Sequence, residues 1–170
     1  MTKTKPLPPV EWLRELYDVD EERGLLVSRR TGRPVGYQRS KHKASLAAMT
    51  PWGQYFVHRL IWRLVHGEDP GVLDVDHING DQGDNRPCNL RLATRAENCR
   101  NQGPRVTNKS GYKGVSRNPG SRNSWRAQIR VTEGDVRKLV YLGSYRTPEE
   151  AHRVYVAAAN ALHGEFARAA

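Results

Sequence analysis

Cysteine is scarce in this sequence of 170 residues, which contains only Cys88 and Cys99. Two cysteines are too few for a disulfide framework or a four-cysteine zinc site, so we expect reduced thiols, a cytoplasmic location and no structural zinc. Long apolar runs are also missing, which argues against a transmembrane helix and a membrane partner. Residues 1–9 contain lysines but lack the apolar stretch of a secretory signal peptide.

Acidic residues are also few relative to basic residues. The chain has 28 Lys and Arg residues against 18 Asp and Glu residues, which gives a formal net charge of +10 and a pI of about 10.0. This excess favours a polyanionic partner, usually nucleic acid, and a basic surface with no such partner is the alternative. A hydrophobic content of 37% and a mean hydropathy of -0.77 suggest small modules around modest cores.

The positive charges are concentrated in two segments on either side of a mildly acidic centre. Residues 100–146 contain eleven Lys and Arg residues against two acids, a local net charge of +9. Residues 29–43 contain six Lys and Arg residues and no acid, whereas residues 72–99 carry a net charge of -2. This distribution suits a polyanion that binds on both sides of a central cleft.

Hydrophobic spacing and turn residues predict an α+β protein with a small helix and hairpin module at its N-terminus. A short amphipathic helix is expected over residues 10–17, followed by a hairpin over residues 24–37 with its turn at residues 31–32. A second hairpin is expected over residues 44–57. Residues 58–66 then have the apolar spacing of a helix.

The central segment is predicted to fold as strand, loop, strand and helix. Residues 72–77 and 89–93 form the strands, and the loop between them is rich in Gly, Asp and Asn. Thr94 and Glu97 form a capping box, in which the hydroxyl and the carboxylate satisfy each other's backbone N–H groups. A helix with Asn98 in its first turn therefore follows the second strand.

The last third is predicted to form a three-stranded antiparallel sheet packed on one helix. Strands are expected over residues 112–117, 125–131 and 137–142. A second capping box, at residues 147–150, has proline at the first helical position. We therefore divide the chain into an N-terminal basic module, a central core, a linker and a C-terminal domain. They cover residues 1–57, 58–101, 102–110 and 111–170.

Asp76-His77, Asn89 and Asn98 stand in the order of a His-Asn-His nuclease site. His77 is the candidate general base for activating a water, since an imidazole titrates near neutrality. Asp76 and Asn98 offer a carboxylate and an amide oxygen to one divalent cation, a donor set that suits Mg²⁺ or Mn²⁺ better than Zn²⁺. Asn89 is expected to tie the loop by side-chain hydrogen bonds and so to hold His77 in orientation.

Residues 58–101 resemble the phage-associated HNH homing endonucleases, whose nuclease core has a ββα-metal fold. The resemblance rests on H-R-L-I-W-R-L-V-H, D-V-D-H-I-N-G-D-Q-G-D-N and C-N-L-R-L-A-T-R-A-E-N-C-R-N. It implies that His77 is the general base, that Asp76 and Asn98 hold one metal ion, and that Asn89 is structural. The third motif position is often His, and Asn98 matches a family variant that should bind the metal more weakly.

Residues 111–164 resemble the plant ethylene-response-factor, or Apetala-two, DNA-binding domain. The resemblance rests on S-G-Y-K-G-V-S-R, W-R-A-Q-I-R-V and Y-L-G-S-Y-R-T-P-E-E-A-H-R-V-Y-V-A-A-A-N-A-L-H-G. It implies that the sheet enters the major groove while the helix packs behind it. Ser116 and Leu139 stand where plant members usually have arginines, so the plant target sequence is not expected to carry over.

The central strand of this domain alternates apolar and polar residues, which predicts one face on a core and one face toward DNA. Arg and Gln side chains can contact guanine and adenine bidentately, and other cations on such a surface meet phosphates. The predicted DNA-contacting residues are Arg126, Gln128 and Arg130 at base edges, Lys113, Arg117 and Arg137 at phosphates, and Tyr141.

Together these features predict a metal-dependent endonuclease of the phage or mobile-element homing type, which cleaves double-stranded DNA as a monomer or dimer. We expect it to act in the cytoplasm of a bacterial or phage-infected cell, at the nucleoid, and to have no small-molecule substrate. One alternative is a non-catalytic DNA-binding regulator on a decayed nuclease fold. Another is a phage DNA-packaging nuclease, which shares the chemistry and differs in biology.

Overall fold

The computed structural model describes residues 5–40, 43–105, 107–121, 124–133 and 136–168. The chain divides into two compact units, Met1–Asn98 and Cys99–Ala170. Both mix helices with small antiparallel sheets, so the predicted α+β class is confirmed. Within the described ranges, no helix is long and apolar enough to cross a membrane.

The first unit begins with a helix and a hairpin that share one buried face. Helix α1, Val10–Leu16, is followed directly by strand β1, Tyr17–Asp20, which pairs with strand β2, Leu25–Ser28. The predicted turn at residues 31–32 is present, and the chain returns antiparallel along β2 through the bridge of Val27 to Pro34. The Ser28 N–H donates to the Arg33 carbonyl at 2.9 Å, and the Val35 N–H donates to the Leu26 carbonyl at 2.7 Å. The pairing of β2 with β1 on its other side was not predicted.

A three-stranded sheet follows, in the order β3-β4-β5. Strands β4, Lys43–Thr50, and β5, Gly53–Phe56, form the predicted second hairpin, and β3, Tyr37–Ser40, adds to its other edge. The connection between β3 and β4 includes residues 41 and 42. The predicted basic segment, residues 29–43, thus lies partly outside the described residues.

Helix α2, Val57–His66, joins these sheets to the central segment. Its apolar spacing buries one face, as predicted, and its backbone ends at Gly67, whose φ of 76° favours glycine. The N-terminal module and the central segment contribute to one hydrophobic core around this helix. The buried members of that core are Leu7, Leu13, Tyr17, Leu26, Ala48, Tyr55, Val57, Leu60, Ile61, Leu64, Val75 and Leu90.

The central segment has the predicted order of strand, loop, strand and helix. Strands β6, Asp74–His77, and β7, Leu90–Ala93, pair antiparallel, and a single 3₁₀ turn precedes β7. Helix α3, Arg95–Asn101, follows. The predicted capping box is present, since the Thr94 N–H donates to the Glu97 carboxylate at 2.7 Å and the Glu97 N–H donates to the Thr94 hydroxyl at 3.3 Å.

The second unit contains the predicted three-stranded sheet with one helix packed on it. Strands β8, Val115–Arg117, β9, Trp125–Glu133, and β10, Val136–Tyr145, lie in the order β10-β9-β8. Helix α4, Pro148–His163, starts with the predicted capping box. Its core comprises Val115, Ala127, Ile129, Ala151, Tyr155 and Ala159.

Candidate functional site

The first strand of the central pair carries two buried polar side chains side by side. Asp76 and His77 are each only 6% exposed. Asp76 lies opposite Arg91 of β7, and the Arg91 Nε donates to its carboxylate at 3.1 Å. His77 instead contacts residues of the loop and of α2, so the two side chains have different surroundings. The strand thereby presents a carboxylate and an imidazole for different tasks.

His77 is held by an asparagine from the loop. Its Nε2 lies 2.9 Å from the side-chain oxygen of Asn85, which is itself only 1% exposed. In the tautomer with the proton on Nε2, the ring would donate to this amide oxygen and leave its lone pair on Nδ1. Nδ1 is then the atom that can accept a proton. Asn85 was not among the predicted site residues.

A second imidazole lies against the first. The rings of His58 and His77 meet edge to face, with centroids 5.0 Å apart, and Phe56 stacks on the other side of His58 at 5.5 Å. Burial above all, together with the neighbouring His77 and Arg59, lowers the pKa of His58 to about 3. His58 is therefore a neutral packing partner at physiological pH.

Asn89 ties the loop together at its far end. Its side-chain oxygen accepts from the Asn79 backbone N–H at 3.0 Å, and its amide donates to the Asn79 side chain at 3.0 Å and to the Asp84 carbonyl at 2.8 Å. These contacts fix the loop on which Asn85 sits. Asn89 thus acts on His77 through the loop, whereas the direct contact comes from Asn85.

The loop carries its own ion pair. Arg86 donates two hydrogen bonds to Asp84, at 2.8 and 2.7 Å, and these bonds lower the pKa of Asp84 to about 2. The turn between β1 and β2 packs against the backbone of the same loop. A side chain on Gly24, whose φ is +66°, would lie 2.4 Å from the Arg86 nitrogen and 2.6 Å from the Asn85 carbonyl carbon. Only glycine permits this approach.

Asn98 reaches the strand through a residue that the sequence motif does not include. Its Nδ2 donates to the carboxylate of Asp74 at 2.8 Å, and Arg95 also contacts that carboxylate at 3.2 Å. Asp74 and Asp76 alternate along β6 and thus project from the same side of the strand. With its nitrogen committed to Asp74, the Asn98 amide directs its oxygen, the atom that binds metals, away from that carboxylate.

The donors gathered here fit a hard divalent cation. They are carboxylate and amide oxygens, the ligand type that Mg²⁺ and Mn²⁺ prefer. Over the parts of the chain that the structure describes, no group of three His, Cys, Asp or Glu side chains has the arrangement of a metal site. Cys88 and Cys99 are both exposed, so neither takes part in core packing.

The sheet of the second unit has one face toward helix α4 and one face open. Ala127 and Ile129 of β9 are buried, whereas Arg126 and Gln128 are half-buried and Arg130 is exposed. The register places Ser116 opposite Arg126, Tyr141 opposite Gln128 and Leu139 opposite Arg130. The open face also includes the small residues Ser116, Thr132 and Ser144. We call its larger side chains the open sheet face, and they are Arg126, Gln128, Arg130, Arg137, Leu139 and Tyr141.

Two of the predicted phosphate contacts lie away from the open sheet face. Lys113 is half-buried and donates to the carbonyls of Arg100 and Arg168, and burial lowers the pKa of its ammonium to about 8. The guanidinium of Arg117 stacks on the ring of Trp125 at 4.2 Å, in the row that faces the helix. Arg137 is exposed on the open face.

Both units match known protein families in the predicted order. An HNH endonuclease family model matches residues 55–100, and an AP2 domain model matches residues 110–165. The first match contains the ββα segment with Asp76 and His77, and the second contains the sheet and helix α4. The fold and these matches define a protein with an HNH nuclease core followed by an AP2 domain.

Two viral proteins are similar to this chain over about two thirds of its length. An uncharacterized HNH endonuclease of Acanthamoeba polyphaga mimivirus is 33% identical over 116 residues, which are 68% of this chain and 57% of that protein. Protein 3.8 of Escherichia phage T7 is 32% identical over 118 residues, which are 65% of this chain and 87% of that protein. No solved structure matches the chain. The chain belongs to the HNH endonuclease family with a C-terminal AP2 domain.

Proposed function

We propose that this protein is a metal-dependent endonuclease that hydrolyses phosphodiester bonds in double-stranded DNA. The observation that carries the proposal is that strand β6 buries His77 directly after Asp76 and that the His77 Nε2 lies 2.9 Å from the Asn85 side-chain oxygen. A general base must be held within reach of the water that it activates, and the Asn85 contact would orient the ring for that role. The family matches support the same chemistry.

His77 would accept the proton of the attacking water at Nδ1, while its Nε2–H remains on Asn85. Asn85 would stabilise the imidazolium that forms, since its oxygen accepts from the protonated ring. Asn89 keeps the loop in place during this step through its contacts to Asn79 and Asp84. Removing such a base typically lowers a rate by ~10²–10⁴-fold.

Asp76 and Asn98 are the residues that would hold one Mg²⁺ or Mn²⁺ ion. When bound, the ion would polarise the scissile phosphate and stabilise the leaving oxygen. Asp74 orients the Asn98 amide for this role, and Arg91 holds the Asp76 carboxylate in its rotamer. Arg91 also supplies a buried positive charge within reach of a phosphate that approaches Asp76.

The AP2 domain would bring this site to duplex DNA. The open sheet face carries Arg126, Arg130 and Arg137, and the alternation on β9 presents Gln128 between them. We place the protein in a phage or mobile element, as a homing-type enzyme in the bacterial host cell. The phage origin of one relative supports this setting.

The test is nicking of a supercoiled plasmid with Mg²⁺ or Mn²⁺, followed by sequencing of the new ends. The wild-type chain should nick, EDTA should stop the reaction, and His77→Ala should lose it while DNA affinity in a gel shift stays within about twofold. Binding without any metal-dependent cleavage would instead identify a DNA-binding regulator on a nuclease fold. Turnover by His77→Ala at the wild-type rate would remove His77 from the mechanism.

A further inference from the structure

The open sheet face is not uniformly polar. Leu139 and Tyr141 of β10 are 58% and 57% exposed, although both are large apolar side chains. They alternate along the strand, so both project from the side opposite helix α4. Exposed apolar residues of this size, arranged together, mark a contact surface.

The register places each apolar residue beside a side chain that can contact a base edge. Leu139 lies directly opposite Arg130, and Tyr141 lies directly opposite Gln128. Residues paired across antiparallel strands have Cβ atoms roughly 4.5–5.5 Å apart. Each pair therefore combines an apolar contact with a hydrogen-bonding side chain in one small area.

Tyr141 is held more firmly than Leu139. Its hydroxyl hydrogen-bonds to the Ser144 hydroxyl at 2.7 Å, and Ser144 also accepts from Asn118 at 2.6 Å. The ring is thus fixed on the surface by its polar end. Leu139 has no polar group to anchor, so its exposed surface needs an apolar partner.

Charge decides what kind of partner fits. Arg126, Arg130 and Arg137 surround the apolar pair, and the described residues of the open sheet face include no acid. A cationic surface with an apolar centre matches the major groove of DNA, where the thymine C5 methyl is the apolar group displayed among acceptors and donors.

We propose that Leu139 reads thymine by contact with its C5 methyl, within about two base-pair steps of a guanine contacted by Arg130. The paired side chains are roughly 4.5–5.5 Å apart, which lies between one and two steps of roughly 3.4 Å along one strand of DNA. This inference rests on the proposed function, since it requires the AP2 domain to bind duplex DNA. Leu139, whose side chain cannot form hydrogen bonds, would thus contribute to recognition of the DNA sequence.

The experiment removes a single methyl group from the DNA. The full chain first selects its preferred duplex from a randomised pool. Each thymine of that duplex is then replaced singly by uracil, which pairs identically but lacks the C5 methyl. Wild type should lose about fourfold in affinity at one position, the effect of one buried methyl group. Leu139→Ala should bind the thymine and uracil duplexes equally.

Val136→Ala is the matched control. Val136 lies on the same strand and is 56% exposed, but its register opposite Glu133 places it on the other side of the sheet. This variant should keep the full sensitivity to uracil. Because Leu139 and Val136 are both exposed, neither substitution creates a core cavity, and unchanged thermal unfolding verifies that each variant is folded.

The outcomes separate this proposal from the proposed function. If replacing each thymine of the selected duplex by uracil leaves the affinity unchanged, the proposed thymine contact is overturned, whereas DNA binding still stands. Uracil sensitivity that persists in Leu139→Ala assigns the contact to another residue and also overturns the proposal. Loss of self-association in Leu139→Ala, with unchanged DNA binding, identifies a protein interface instead. A chain that selects no duplex refutes DNA binding, and this inference with it.

Discussion

Replacing Arg91 with methionine is expected to destabilise the first unit and, at the same time, to make its stability depend on metal. The Arg91 Nε lies 3.1 Å from the Asp76 carboxylate, and the two side chains are 11% and 6% exposed. Methionine keeps the length of the stem but removes the charge. Since the Asp76 charge then remains buried without its guanidinium, we expect a loss of about 3–5 kcal/mol in the free energy of unfolding.

A divalent cation should restore much of this loss. If Asp76 is a metal ligand, an ion can replace the guanidinium as the neighbouring positive charge. Binding at a concentration of about 100 times the Kd stabilises a folded protein by roughly 2.7 kcal/mol. In wild type the guanidinium competes for the same carboxylate, so Mn²⁺ should stabilise Arg91→Met more than wild type and should bind it more tightly.

The assay is urea unfolding followed by tryptophan fluorescence, with and without Mn²⁺, together with calorimetric titration of Mn²⁺. Three of the four tryptophans, Trp12, Trp52 and Trp62, lie in the first unit. Asp76→Asn combined with Arg91→Met should recover stability in EDTA but lose the response to Mn²⁺. Arg95→Met is the matched control, because Arg95 is 78% exposed and its pair with Asp74 should contribute at most about 1 kcal/mol. A loss below 1 kcal/mol for Arg91→Met, or equal Mn²⁺ stabilisation of variant and wild type, would refute the reasoning.

Three further predictions test the surroundings of the site. Asn85→Ala should slow plasmid nicking at least tenfold with little change in the gel shift. The reason is that the buried ring N–H of His77 loses its acceptor, at a cost of about 1–3 kcal/mol. An unchanged nicking rate would contradict the positioning role of Asn85. The pKa of His58 is lowered to about 3 in the folded protein, so the unfolded chain binds more protons between pH 6.5 and 3 and stability falls as the pH is lowered through that range. His58→Phe should weaken this decline in urea unfolding measured across the range, and an unaltered pH profile would argue against it. Gly24→Ala should lower the thermal unfolding temperature more than Gly32→Ala does. Both glycines have a φ of +66°, but only Gly24 lies against the backbone of another segment. Equal losses of stability would show that the loop of Asn85 and Arg86 moves to accommodate the new side chain.

The sequence predicts best those elements whose signal is local. The capping boxes at Thr94 and Thr147 each need only four residues to define a helix start, and both are present. The hairpin of β1 and β2 is not predicted. The helical spacing of the preceding residues includes Tyr17, which in the structure opens β1 and lies opposite Ser28.

The site residues also divide into those with a local sequence signal and those that only the folded chain brings together. The motif identifies Asp76 and His77, which the structure buries side by side, because adjacent residues on a strand need no folding to be neighbours. Asn85 resembles any other polar residue of a turn-rich loop, and only the folded loop turns its oxygen toward His77. Asp74 was open to prediction, since the D-V-D alternation already places it on the same side as Asp76. The hydrogen bond that Asp74 accepts from Asn98, twenty-four residues further along the chain, was not, although Asn98 itself is a predicted site residue.

The N-terminal module and the central segment share one hydrophobic core within residues 1–98, and this core determines the smallest fragment that could be moved into another protein. A cutting module taken as residues 58–101 alone would expose Leu60 and Ile61, which are fully buried against the N-terminal hairpins. It would also lose the Gly24 turn that backs the loop of Asn85. A chimaera that joins this nuclease to another DNA-reading domain should therefore keep the chain through residue 101, so that helix α3 stays whole, and one that is cut before the HNH motif should yield insoluble protein.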